Sequence, residues 1–240
     1  MSKFVLRKLI VNQACGNKLK TLEPGEYIFS NKVYDSFFMD GVAIHAIVGK
    51  NGSGKSSLIE MIFRMINNLS ALMFKGYKRR FDTLFYIQNV VGELYYELDG
   101  IEGVLKCESE QVSLRIGNDE YVWNLNETEN GGSNEVETID LTKKKKEVLI
   151  AERFFYTIST NYSLQSYVTD DFSAEDKLVW NNTLKQWEKT YDSKSWIDGV
   201  FHKNDGYMNP IVLNPYRNKG SIDMSKEERL TINRFVGIKG

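Results

Sequence analysis

Cysteine is scarce in this chain. Two residues in 240, Cys15 and Cys107, cannot build a disulfide framework and have no zinc-type spacing. That scarcity favours a reducing compartment, with the cytoplasm as the default. An excess of charge of one sign is also missing. Thirty-one basic residues stand against 32 acidic ones, a formal net charge of -1, so no global field points to nucleic acid or a membrane as partner. A local patch stays open. No apolar run approaches the roughly 18 residues needed to cross a bilayer, and Met1-Ser2-Lys3-Phe4-Val5-Leu6-Arg7-Lys8 lacks the apolar stretch of a signal peptide. No internal repeat is evident. The hydrophobic content of 42% is ordinary, enough for one α/β domain with insertions or two small domains.

What the chain does have is Gly49-Lys50-Asn51-Gly52-Ser53-Gly54-Lys55-Ser56, which fills every required position of the phosphate-binding loop Gly-x-x-x-x-Gly-Lys-[Ser/Thr]. The spacing has a mechanism. Glycines let successive backbone N–H groups turn inward around phosphates, the lysine reaches the β- and γ-phosphates, and the hydroxyl of Ser56 holds Mg²⁺. The flanks agree with the motif. Val42-Ala43-Ile44-His45-Ala46-Ile47-Val48 reads as a strand buried on both faces. From Leu58, apolar Met61, Ile62, Met65, Ile66, Leu69, Leu72 and Met73 recur at helical spacing up to a stop at Gly76. Strand, glycine loop and helix N-terminus in that order aim a helix dipole at an anion. The expected ligand set is Gly49, Lys50, Asn51, Gly52, Ser53, Gly54, Lys55, Ser56 and Ser57 for ATP, with Ser56 on Mg²⁺.

Elsewhere the period changes. Residues 4–12 and 25–30 read as two short strands pairing near the phosphate-loop strand. Between 84 and 125 the alternation is of period two, with turns at Asp99-Gly100 and Gly117-Asn118-Asp119, and predicts an antiparallel meander. Phe154-Phe155-Tyr156-Thr157-Ile158-Ser159 reads as a buried strand and Pro210-Ile211-Val212-Leu213-Asn214 as a short one. Ser173, with Asp176 at the third position, predicts a helix whose face carries Trp180, Leu184, Trp187 and Tyr191, and Ser225 with Glu228 starts a last helix. Lys143 to Lys146 is a solvated run flanked by Asp140 and Glu147, or a contact to phosphate backbone. The division expected is 1–80 as nucleotide-binding core, 81–140 as β subdomain and 141–240 as strand plus helical region.

The guanine-nucleotide class needs Asn-Lys-x-Asp and Asp-x-x-Gly elements, and neither occurs. Ile47-Val48-Gly49-Lys50-Asn51-Gly52-Ser53-Gly54-Lys55-Ser56-Ser57-Leu58-Ile59-Glu60 instead resembles the nucleotide-binding start of ABC-type ATPases of the SMC and RecF kind. The resemblance covers about the first seventy residues. It implies an α/β fold, the N-terminal lobe of an ATPase head with an antiparallel β subdomain, that binds ATP and Mg²⁺ and dimerises around nucleotide, commonly in proteins acting on DNA. Residues 196–207 and 210–217 also look like a block of large bacterial ATPases of the AAA type, some associated with defence against phage. His202, Asp205 and Arg217 in that block form either a polar site or a self-satisfied connecting loop.

The chain departs from the family in lacking a Leu-Ser-Gly-Gly-Gln-like signature and an apolar strand ending in Asp-Glu. Gly131-Gly132-Ser133 and Val136-Glu137-Thr138-Ile139-Asp140 do not supply them, so no catalytic acid is assigned. Gln88 stands either as the metal- and water-sensing glutamine of such heads or as an ordinary strand end. The expectation is an N-terminal portion of a longer ATPase, binding ATP but hardly hydrolysing it without a C-terminal half or a homodimeric partner. A non-hydrolysing ATP-dependent interaction module and a small-molecule phosphotransferase are the alternatives.

Overall fold

The computed structural model describes residues 4–30, 45–75, 84–126, 150, 153–155, 157–160, 167, 170–191, 194–200 and 211–214. These form a mixed α/β arrangement built on one six-stranded antiparallel sheet. Its strands are β1 (Phe4–Val11), β2 (Gly25–Ile28), β4 (Gly92–Leu98), β5 (Ile101–Cys107), β6 (Gln111–Ile116) and β7 (Asp119–Asn124), in the order β2-β1-β4-β5-β6-β7. A short β3 (Tyr86–Ile87) precedes the meander and belongs to a second sheet.

Turn chemistry sets the meander's register. Asp99 (φ 52°) and Gly100 (φ 82°) both occupy the left-handed region, as a two-residue type I′ turn demands, and Leu98 pairs with Ile101 across it. Gly117 (φ 59°) leads the second turn, between Ile116 and its partner Asp119. The alternation then does what period two requires. Leu94, Tyr96, Leu105, Cys107, Val112 and Leu114 face inward and are buried, while Glu93, Glu97, Lys106 and Arg115 lie on the other face.

β1 and β2 pair with each other as expected, but the other edge of β1 takes β4, from Phe4↔Leu98 to Val11↔Gly92. The N-terminal strands therefore belong to the meander's sheet, which draws strands from both sides of residue 80. The segment before the loop differs from expectation. His45 to Val48 forms no strand and is exposed, Val48 to 86%, because no strand among the described residues lies beside it. Residues 42–44 lie outside the described residues.

The inner face of the sheet is covered by α1 (Lys55–Met73), whose residues from Glu60 to Met73 are all buried. An amphipathic stripe would leave one side in water, whereas this helix is enclosed on all sides. Its polar residues are consequently bonded. The Asn68 side chain donates to Ile87 O and accepts from Ile87 N, both at 2.8 Å, and Asn67 donates to Phe85 O at 2.8 Å. Asn68 thus substitutes for a neighbouring strand along β3. The helix ends at Phe74, whose N–H bonds Ser70 O; Gly76 lies outside the described residues.

The region expected to be helical between Ser173 and Tyr191 is a β-hairpin. A helical turn over Asp170–Ser173 ends where the helix was expected to begin, and β9 (Lys177–Asn181) and β10 (Gln186–Lys189) follow, with β9 also pairing β3. Trp180 and Trp187 are direct cross-strand partners, their rings edge to face at 5.6 Å. Asn181 Oδ1 accepts from Thr183 N and Leu184 N, closing the loop that leads to Lys185 at φ 55°. Leu184 and Tyr191 are exposed, 58% and 88%. Of the buried strand expected at 154–159, β8 covers Thr157–Thr160, with Thr157 and Ser159 half-buried and Phe154 and Phe155 ahead of it, and β8 pairs in parallel with the expected β11 (Ile211–Asn214). The starting point of the last expected helix, Ser225 and Glu228, and the residues 127–149 that include the lysine run, lie outside the described residues.

Candidate functional site: a glycine loop on the N-terminus of α1

The loop 49–56 leads into α1 without a side-chain cap. Gly54 is the N-cap residue, at φ 83° and ψ 7°, and its carbonyl accepts the first helical bond, from Leu58 N at 2.9 Å. No acidic residue occupies the first turn. The N-terminal N–H groups of a helix have no carbonyl partner within it, and here neither a capping side chain nor a carboxylate of the first turn takes their place.

Glycine is favoured at Gly54 by its own backbone and by what lies beside it. A Cβ on Gly54 would meet Leu22 Cα at 3.0 Å, on top of a left-handed φ that other residues rarely adopt. At Gly49 the close neighbour of such a Cβ is the rotatable Ser53 hydroxyl, at 2.6 Å, which can turn aside. Ser53 N donates to Lys50 O at 3.2 Å, which folds the loop into a turn. The Lys55 side chain comes back over that turn and donates to Gly49 O at 2.8 Å and Lys50 O at 2.7 Å. An ammonium held by the loop's own carbonyls is thereby set over the loop, beside the glycine backbone.

The structure therefore brings Gly49, Lys50, Ser53, Gly54 and Lys55 together. Gly49 to Ser53 are exposed, Gly54 is buried, Lys55 is half-buried and Ser56 is exposed on the first turn of α1. Ser57, four per cent exposed, faces inward instead. Among the described residues no cluster of three or more His, Cys, Asp or Glu could hold a metal ion. The loop's own donors fit a polyphosphate with its Mg²⁺: glycine backbone, one ammonium, and the Ser56 hydroxyl as an oxygen ligand.

Gln88 is not brought to this site. Its N–H bonds Asp176 O at 3.0 Å, and its neighbour Ile87 is fixed on Asn68, about 20 Å along the axis from Lys55, given the helical rise. The strand-end reading holds. His202, Asp205 and Arg217 lie outside the described residues.

Sequence reasoning missed the ionic cluster behind the loop. Arg64, fully buried, donates through Nε and Nη2 to both oxygens of Glu175 at 3.2 and 2.5 Å, and through Nη1 and Nη2 to Glu60 at 3.3 Å. Lys20 Nζ reaches both oxygens of Glu60, at 3.1 and 2.9 Å. Phe172 and Trp196 cover the guanidinium, their ring centres 5.5 and 5.6 Å away. Burial alone would lower the Arg64 pKa, but the bonds and charges of Glu175 and Glu60 outweigh it and hold the guanidinium charged. Lys18, also buried, is pulled below the ordinary lysine range by desolvation, against the opposing attraction of Glu175. The only signal in the sequence was the i,i+4 spacing of Glu60 and Arg64; Lys20 and Glu175 are remote in the chain.

Among the described residues, no helix is long and apolar enough to cross a membrane. No family model matches the chain, and neither a curated protein nor a solved structure is found similar to it.

Proposed function

We propose that this chain binds a nucleoside triphosphate, ATP with Mg²⁺, through residues 49–57. The observation that carries the reading is the uncapped N-terminus of α1, preceded by a glycine loop in which Gly54 takes a left-handed φ tight against Leu22 and Lys55 is folded back over the loop. Bare N–H donors, the positive end of a helix and one ammonium converge there, which is the chemistry of polyphosphate recognition. Ser56, exposed on the first turn, supplies the Mg²⁺ ligand together with phosphate oxygens and water.

The resemblance of residues 47–60 to ABC-type ATPases of the SMC and RecF kind supports ATP as the nucleotide, and the six-stranded antiparallel sheet is compatible with the β subdomain that such heads carry. In this reading the chain is the nucleotide-binding lobe of a phosphate-loop ATPase that works with a second ATPase half or a second copy, in DNA metabolism or phage defence. Hydrolysis needs a positioned water and charge neutralisation beyond the loop. Glu60, the first carboxylate after the loop, is engaged by Lys20 and Arg64 and is not placed to act as a base. Binding with little turnover is therefore expected.

Calorimetric titration tests this. ATP·Mg²⁺ is expected to bind, Lys55→Ala to weaken it by tenfold or more, the ~1.4 kcal/mol of one lost charge-assisted contact, and Ser56→Ala to raise the Mg²⁺ requirement. Folded protein that binds no ATP, or binds it equally with and without Lys55, removes the proposal.

A further inference from the structure

We infer that Lys20 is a positioning residue for the phosphate loop, acting through the turn that buttresses Gly54; this rests on the triphosphate-binding reading above. Lys20 lies in the connection between β1 and β2 and is the one residue in it, apart from glycine, with a positive φ (52°, ψ −109°). Leu22 N bonds Leu19 O at 2.7 Å, so Lys20 is the first central residue of a tight turn, in a conformation that suits glycine and costs a residue with a Cβ free energy. Strain of that kind persists only where the surroundings hold it.

What holds it is visible. The Lys20 ammonium spans both carboxylate oxygens of Glu60, on the second turn of α1, and lies 4.8 Å from the centre of the Phe172 ring. Glu60 is itself fixed by Arg64, and Arg64 by Glu175. The side chain is thus anchored to a buried network at its far end while its backbone takes the strained turn. The turn ends at Leu22, whose main-chain N and Cα are the atoms that a Cβ on Gly54 would meet, at 3.2 and 3.0 Å. Gly54 is the hinge between loop and helix. Lys20 therefore sets the wall against which the loop is formed, without needing to touch the ligand.

Charge and conformation are separable at this position. Lys20→Met keeps the stem but loses the anchor, leaving a strained turn with nothing to hold it. Lys20→Gly loses the anchor too, but adopts the turn at little cost. ATP·Mg²⁺ affinity, with thermal midpoint measured in parallel, is expected to fall about tenfold in Lys20→Met, in keeping with the strain at stake. Lys20→Gly is expected to stay within about threefold of wild type, and so is Lys20→Arg, whose guanidinium can fork onto both Glu60 oxygens and keep the anchor. Lys20→Gly binding as weakly as Lys20→Met overturns the inference, because the side chain would then act by itself, on phosphate or through its ion pair. Lys20→Met binding as well as wild type overturns it too, leaving a stabilising ion pair alone. Wild-type protein that binds no ATP overturns the nucleotide reading, and this inference with it.

Discussion

Removing the Arg64 guanidinium should be among the costliest single changes in this protein. Arg64→Met keeps most of the aliphatic stem and deletes the charge between Glu60, Glu175, Phe172 and Trp196. Glu60 retains Lys20 at 2.9 Å, but Glu175 loses both guanidinium bonds while only 14% exposed. Breaking a buried pair by deleting one partner costs about 3–5 kcal/mol, and the partner left to Glu60 argues for the lower end, ~3 kcal/mol. Urea unfolding followed by tryptophan fluorescence reads this as a lower midpoint at unchanged slope. Adding Glu175→Gln removes the stranded charge, so the double variant should lose less than the sum of the two single changes, with a coupling of at least ~1 kcal/mol. Arg64→Met within ~0.5 kcal/mol of wild type, or strictly additive losses, would refute the claim that this network is the anchor behind the loop.

Two other outcomes are expected. Stability should decline above pH 9: burial raises the thiols of Cys15 and Cys107 from 9.0, and raises the phenols of Tyr86, Tyr96 and Tyr167 from 10.0, Tyr167 to about 12. Tyr95 is raised to about 12 as well, chiefly by its bond to Glu93. Groups with raised folded pKa values stabilise fully below their unfolded values and lose that contribution as pH climbs toward the folded ones, so urea midpoints should fall between pH 9 and 12; among the described residues Lys18, lowered by burial, opposes the trend, and a flat profile would contradict the burial of these groups. The edge-to-face Trp180–Trp187 pair should give an exciton couplet in circular dichroism that vanishes in Trp187→Phe; its absence in wild type would favour a helix over the hairpin.

What could be read from the sequence was what local chemistry determines. Asp99-Gly100 and Gly117-Asn118 specify two-residue turns through φ > 0, and the meander followed from them together with period-two alternation. The glycine loop and α1 were legible because the loop needs fixed residue types and the helix repeats its apolar positions. Long-range choices were not legible. Nothing near Phe4 announces that β1 pairs with β4, and nothing near Asn68 announces that its side chain completes β3. The hairpin is hidden in the sequence for a definite reason: Trp180, Leu184, Trp187 and Tyr191 fit a helical face, while a four-residue loop between strands places two of the same residues opposite each other. Asn181 and Asn182 at the turn were the evidence for a break in the chain's direction, since asparagine side chains satisfy backbone N–H groups outside a helix. The strand expected at residues 42–48 rests on an apolar, β-branched run ahead of the glycine loop, and the exposed Ile47 and Val48 show that apolar runs do not by themselves supply a neighbour.

The most direct measurement of the central claim is an amide-resolved NMR titration of the protein with ATP·Mg²⁺, with adenosine as control. If the loop recognises phosphates, the largest shifts fall at the N–H groups of Gly52, Gly54, Lys55 and Ser56, saturating with ATP and absent with adenosine. Saturable shifts confined to other parts of the chain, or equal responses to adenosine and ATP, would contradict it.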